Sequence, residues 1–124
     1  MSFTLLLVDD QDTVLRVLEY VFTSRGHRVL TARSGAAAVE LLRNGQAHAA
    51  LIDMHMPEMD GFQTTEALLE LARQRGDRLL VWMMTGAFSA MAQQRAREVG
   101  AIALLAKPFD FTAFLAELAR EVGT

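Results

Sequence analysis

Asp9-Asp10, Asp53, Thr85 and Lys107 are the residues of this chain whose types could do chemistry together. Each stands at the end of a short apolar run, in "LLLVDDQ", "LIDMHMPEMDG", "VWMMTGA" and "LLAKPFD". A single aspartate in such a place is ordinarily a turn-former or a helix cap. Three carboxylates about 5 Å apart are another matter, because each pair repels by about 3 kcal/mol at an effective dielectric of 20. A divalent cation and a fixed ammonium would offset that repulsion. A hard cation such as Mg²⁺ takes oxygen ligands. A phosphoryl group in transfer needs its oxygens neutralised by metal, ammonium and hydrogen-bond donors. An aspartate can itself act as the nucleophile and become an acyl phosphate. Phosphoryl transfer is therefore the chemistry that this set of residues suits.

What must position them is a set of buried strands. Apolar runs at Thr4 to Val8, Arg28 to Ala32, Ala49 to Ile52, Leu79 to Met84 and Ala101 to Ala106 alternate with helix-period segments. All but the second are nearly all apolar, as strands covered on both faces are. Val14, Val17, Leu18, Val21 and Phe22 make the stripe of a first helix, which stops at Gly26. Ser34 caps a second over Gly35 to Arg43, and a third runs from Phe62 to Arg75. The fourth, Ser89 to Val99, places only Ala92, Ala96 and Val99 on one face, so looser packing is expected there. The fifth starts at Asp110, with Phe109 and Phe114 spaced as a hydrophobic staple. Five βα units in succession, joined by right-handed crossovers, give an open parallel sheet with helices on both faces. In such a sheet the ligand crevice lies beyond the carboxyl ends of the strands, where the polar residues fall. Only the second run, read as an edge strand, brings no such group.

The bulk properties exclude several classes. The 124 residues fit one domain, with no linker, internal repeat or output domain in the chain. A net charge of −3 argues against nucleic acid and anionic membranes as partners. The absence of Cys excludes disulfides and thiolate metal sites and fits a reducing compartment. The first residues lack a basic region and long apolar core, and no apolar run is long enough to span a bilayer. A cytoplasmic protein is the expectation.

The four quoted stretches, in that order and spacing, resemble the receiver domain of bacterial two-component response regulators, over the whole chain from 1 to 124. The resemblance implies a flavodoxin-like (βα)5 fold with strand order 2-1-3-4-5. It implies that Asp53 is the phosphoacceptor and that Asp10 is a direct Mg²⁺ ligand together with Asp53. Asp9 would act through a metal-bound water, and the backbone carbonyl of His55 would complete the protein's share of the coordination. Thr85 would be the switch hydroxyl and Lys107 the ammonium that pairs with the phosphoryl group, with a cis peptide at Lys107-Pro108. The implied partners are a sensor histidine kinase or a histidine phosphotransfer protein, and downstream a protein or output domain on the face of helix four, strand five and helix five. Phosphoryl acceptance and slow loss would be self-catalysed, in a monomer or weak homodimer.

Two departures from the family's pattern matter. Where it often has a Phe or Tyr three residues before the lysine, this chain has Leu104. Leu104 carries no ring to swing between surface and interior, which puts the usual threonine-aromatic coupling in doubt. The positions two after Asp53 and two after Thr85 are His55 and Ala87. His55 reads more simply as a solvent-facing loop residue than as one that orders water. His27 and His48 stand isolated in the sequence, with no role assigned.

A rival reading takes Asp10-Gln11-Asp12-Thr13-Val14 as the motif of a haloacid-dehalogenase-type phosphatase, with Asp10 as nucleophile and Asp12 as general acid. It leaves the Asp53 loop unexplained and finds no pair of acids after Lys107 at a strand end. A receiver-like binding module that signals without phosphorylation is the other rival. The full set of phosphorylation residues argues against it.

Overall fold

The computed structural model describes residues 2–123; Met1 and Thr124, the ends of the expected domain, lie outside the described residues. Strands β1 (Thr4–Val8), β2 (Arg28–Ala32), β3 (Ala49–Asp53), β4 (Leu80–Thr85) and β5 (Ala103–Ala106) form one parallel sheet in the order β2-β1-β3-β4-β5. Between and after them come helices α1 (Asp12–Ser24), α2 (Gly35–Arg43), α3 (Gly61–Arg75), α4 (Ala90–Glu98) and α5 (Phe111–Val122). The expected fold class and strand order are observed.

Strand alternation divides the apolar residues between two cores. Leu6, Val8, Ile52, Val81, Met83 and Leu104 pack on one side of the sheet with α2, α3 and α4. Leu5, Leu7, Leu51, Trp82 and Met84 pack on the other with α1 and α5. β3 is buried at every residue, so both of its faces are covered, as its unbroken apolar run requires. Across that second core Trp82 meets Phe114 edge-on at 5.1 Å between ring centroids, and the Phe109–Phe114 staple closes at 5.9 Å.

One helix is rotated relative to the expectation. α1 buries Leu15, Leu18 and Phe22, while Val14 and Val21 are half-buried and Val17 is 55% exposed. The i, i+3, i+7 set centred on Leu18 wins because Phe22 is drawn inward against Phe111 and Phe114. α4 is as sparsely anchored as its composition implied. Only Ala96 is buried, and Phe88 and Met91 at its start lie exposed.

Candidate phosphoryl and metal site

β1 ends at Val8 and hands its direction to Asp9 and Asp10, while β3 carries Asp53 as its last residue. β1 and β3 are hydrogen-bonded neighbours in parallel register, so their carboxylates emerge side by side. Ligand oxygens of Asp9, Asp10 and Asp53 all lie within 4.8 Å of one another. Asp9 is fully buried and its two oxygens are engaged, Oδ1 by the Gln11 amide at 2.9 Å and Oδ2 by Lys107 Nζ at 2.9 Å. Lys107 Nζ also reaches Asp53 Oδ1 at 3.0 Å. Asp10 is exposed at the mouth.

Burial pushes the Asp53 carboxyl above the ordinary aspartate value; the Lys107 hydrogen bond opposes this, and the charges of Asp9 and Asp10 add to it. Burial alone would lower the Lys107 ammonium, but its hydrogen bonds and charge pairing with Asp9 and Asp53 outweigh that and hold it above the ordinary lysine value. Both residues are therefore strong proton binders. The ammonium is fixed between the two carboxylates.

Thr85 closes β4, fully buried, between the strand that bears Asp53 and the strand that leads to Lys107. Its Oγ1 accepts the Ala87 amide at 3.0 Å. The Lys107-Pro108 bond is cis. His55 and Ala87 are exposed, and Leu104 is 3% exposed with its side chain already inside the core.

The loop from Asp53 to α3 is held by features that sequence reading missed. Asp60 caps α3 in a reciprocal box with Gln63, accepting its amide at 2.8 Å and giving its own amide to Gln63 Oε1 at 3.0 Å. Gly61 opens the helix because nothing larger fits. A Cβ there would sit 2.3 Å from the Asp53 carbonyl oxygen and 2.8 Å from Met54 Cα. The loop is pinned further by Gly61 N donating to the Met54 carbonyl at 3.0 Å and Met54 N donating to the Met84 carbonyl at 2.8 Å. Glu58, at φ 67°, takes a left-handed conformation unusual for a residue with a Cβ.

β2 also brings a charged group to the rim. Arg33, just past its end, pairs with Asp12 at 3.0 Å, and Asp12 holds Arg16 one helical turn on at 2.8 Å. The i, i+4 spacing of Asp12 and Arg16 was the available signal for half of this pair. With its carboxylate shared by two guanidiniums, Asp12 is engaged as a rim contact, not placed as a free general acid. Beside Lys107 an apolar groove of about 370 Å³ is lined by Val14, Val17, Leu18, Pro108, Phe109 and Phe111 among others.

An open parallel sheet that gathers three carboxylates and a lysine at its carboxyl end defines a class of α/β module built to handle phosphoryl groups and hard cations. The chain belongs to the response regulator receiver domains, whose family model matches residues 5–119. It is 30% identical over 110 residues to sporulation initiation phosphotransferase F of Bacillus subtilis, covering 89% of this chain and 86% of that protein. It spans half or less of the other first curated relatives that it matches. The chemotaxis protein CheY4 of Vibrio cholerae superposes with a TM-score of 0.85 at 26% identity, covering 97% of this chain and 98% of that one. CheY from Borrelia burgdorferi, in a CheX-CheY-BeF3-Mg complex, gives 0.83 at 26% identity, over 98% and 90%. This is a receiver domain of two-component response regulators, a signalling module rather than a classical enzyme. Receiver domains bind Mg²⁺ at an acidic pocket, and the three aspartates make such a cluster here. Among the described residues no helix is long and apolar enough to cross a membrane.

Proposed function

We propose that Asp53 is the phosphoacceptor of a cytoplasmic bacterial phosphorelay, in a receiver unit that spans residues 1–124. The observation that carries this is the convergence of Asp9, Asp10 and Asp53 within 4.8 Å, with Lys107 bonded to both buried carboxylates. An Asp53 oxygen forms a bond to phosphorus as the bond from phosphorus to the donor's imidazole nitrogen breaks, and the electron pair leaves with the nitrogen. Lys107 is already 3.0 Å from Asp53 and holds a phosphoryl oxygen once it arrives. Thr85 can turn its hydroxyl from the Ala87 amide to another phosphoryl oxygen. The all-oxygen donor set fits Mg²⁺, with Asp10 and Asp53 as direct ligands, Asp9 through water and the His55 carbonyl alongside. When bound, the ion supplies the positive charge that one lysine cannot. Acceptance and slow hydrolysis of the acyl phosphate need no other catalyst than these groups.

The phosphoryl donor is a sensor histidine kinase or a histidine phosphotransfer protein. It has to approach Asp53 over the mouth, where the Val14–Phe109 groove and exposed Val17 offer apolar ground. The phosphorylated state acts on a downstream protein or output domain through the α4-β5-α5 face, where Phe88 and Met91 are exposed. The protein works as a monomer or weak homodimer.

Acetyl phosphate with Mg²⁺ tests the assignment by intact mass. One phosphoryl group should be added, and Asp53→Asn should abolish the addition. Labelling retained in Asp53→Asn but lost in Asp10→Asn would move the nucleophile to Asp10.

A further inference from the structure

α4 has little apolar hold on the molecule, since Ala96 is its one buried residue. Two side chains, one turn of helix in extent, make up for this. Gln93 Oε1 accepts the backbone amide of Leu104 at 2.8 Å. The Arg95 guanidinium lies 4.1 Å from the centroid of the Phe62 ring.

Both contacts land on elements that lead to the phosphoryl site. β5 is an edge strand, paired only to β4, so alternate amides point off the sheet. The Leu104 amide is one of these, and a side chain of α4 takes the place that another strand would fill. Three residues on, the same strand delivers Lys107, whose amide bonds to the Thr85 carbonyl at 2.7 Å. Phe62 follows Gly61, which is packed against the Asp53 carbonyl. Leu104 itself occupies the position where a swinging ring would report the state of the site, and it is already buried.

We propose that Gln93 is a positioning residue that clasps α4 to the edge of β5 in the resting state. Its release from the Leu104 amide, in place of an aromatic swing, is how this chain converts phosphorylation into movement of α4. The inference rests on the reading of Asp53 as phosphoacceptor. The clasp is not compatible with a displaced α4, because the glutamine side chain must span a fixed distance to a fixed amide. By linkage, a contact made only in the resting state weakens binding of whatever favours the other state, and its removal strengthens that binding.

Two substitutions separate the acceptor from the shape of the side chain. Gln93→Met keeps the unbranched length and a similar helix propensity but offers no good acceptor. Gln93→Glu keeps an acceptor oxygen. Amide hydrogen exchange at Leu104 is measured without phosphodonor, and beryllofluoride affinity is measured with Mg²⁺ present. In Gln93→Met, exchange at Leu104 should rise roughly fivefold, the equivalent of one ordinary hydrogen bond. Beryllofluoride should bind more tightly by up to a similar factor, while Gln93→Glu stays near wild type in both. Unchanged exchange in Gln93→Met would overturn the clasp. Faster exchange with unchanged beryllofluoride affinity would overturn its role in switching, and so would a Gln93→Glu protein that behaves like Gln93→Met. If the wild type itself fails to bind beryllofluoride, the phosphoacceptor reading falls and the switching role with it, while exchange at Leu104 still reports the clasp.

Discussion

At the carboxyl ends of β1 and β3, Asp9, Asp10 and Asp53 crowd around one lysine. At the amino ends of β1, β2 and β3, the residues just before each strand are Phe3, His27 and His48. His27 stacks on Phe3 at 5.3 Å between centroids and His48 meets it edge-on at 5.7 Å. His27 Nδ1 accepts the Phe3 amide at 3.0 Å and His48 Nδ1 accepts the Thr4 amide at 2.9 Å. Here two imidazoles satisfy strand-end amides that would otherwise face water. One end of the sheet thus assembles like charges, which only a ligand can neutralise in full, and the other closes its backbone with aromatic rings. The contrast teaches where stability has been given up for function, since the same strands run through both ends.

The largest effect is expected where the charged end depends on close packing. Gly61→Ala places a Cβ against the Asp53 carbonyl and Met54 Cα, backbone atoms that cannot turn aside. Overpacking of this kind should cost about 3 kcal/mol in equilibrium urea unfolding and depress phosphoryl uptake as well. Near-wild-type stability would mean that the loop is not held as tightly as its geometry implies.

Metal should sharpen the difference between the ends. At a Mg²⁺ concentration one hundred times its dissociation constant, linkage stabilises the native state by about 2.7 kcal/mol. Asp10→Ala should remove this gain, and no substitution around Phe3 should touch it. Thermal shifts that match with and without Mg²⁺ in the wild type would count against the acidic end as a cation site.

The smaller effect belongs to the histidine end. His27→Phe keeps a ring over Phe3 but leaves the Phe3 amide without its acceptor, at a cost of about 1 kcal/mol. Burial, then positive charge nearby that includes Arg25, holds the His27 imidazole below its ordinary value. The unfolded chain therefore binds the proton more readily than the folded one. Stability from this histidine is present above about pH 6.5 and is lost as pH falls toward the lowered folded value. Unfolding curves between pH 7.5 and 5 should show that loss in the wild type and a flatter profile in His27→Phe. Equal slopes would assign the pH dependence elsewhere.

The sequence made the charged end legible and hid the other. Asp9, Asp10, Asp53, Thr85 and Lys107 each follow an apolar run, so strand periodicity and one rule about parallel sheets suffice to bring them together. His27 and His48 looked isolated because nothing local joins them. Only the register, with Thr4 beside Arg28 and Leu5 beside Ala49, sets them on either side of Phe3. The helix rotation that exposes Val17 was hidden for a similar reason. Val14, Val17 and Val21 suit a stripe as well as Leu15, Leu18 and Phe22 do, and the aromatic residues of α5 decide between them. Gly61 could be seen as a turn glycine but not as a point of backbone contact, since that depends on where the Asp53 carbonyl lies.

Asp53→Asn bears most directly on the claim that the carboxyl end is held together against its own charge. Because burial raises the Asp53 carboxyl, its ionised form disfavours the fold at neutral pH, and the neutral amide relieves this. In metal-free buffer at pH 7, Asp53→Asn should unfold at a higher urea concentration than the wild type, and Mg²⁺ with beryllofluoride should stabilise only the wild type. A variant that is less stable than the wild type in metal-free buffer, and is stabilised as much by Mg²⁺ and beryllofluoride, would contradict it.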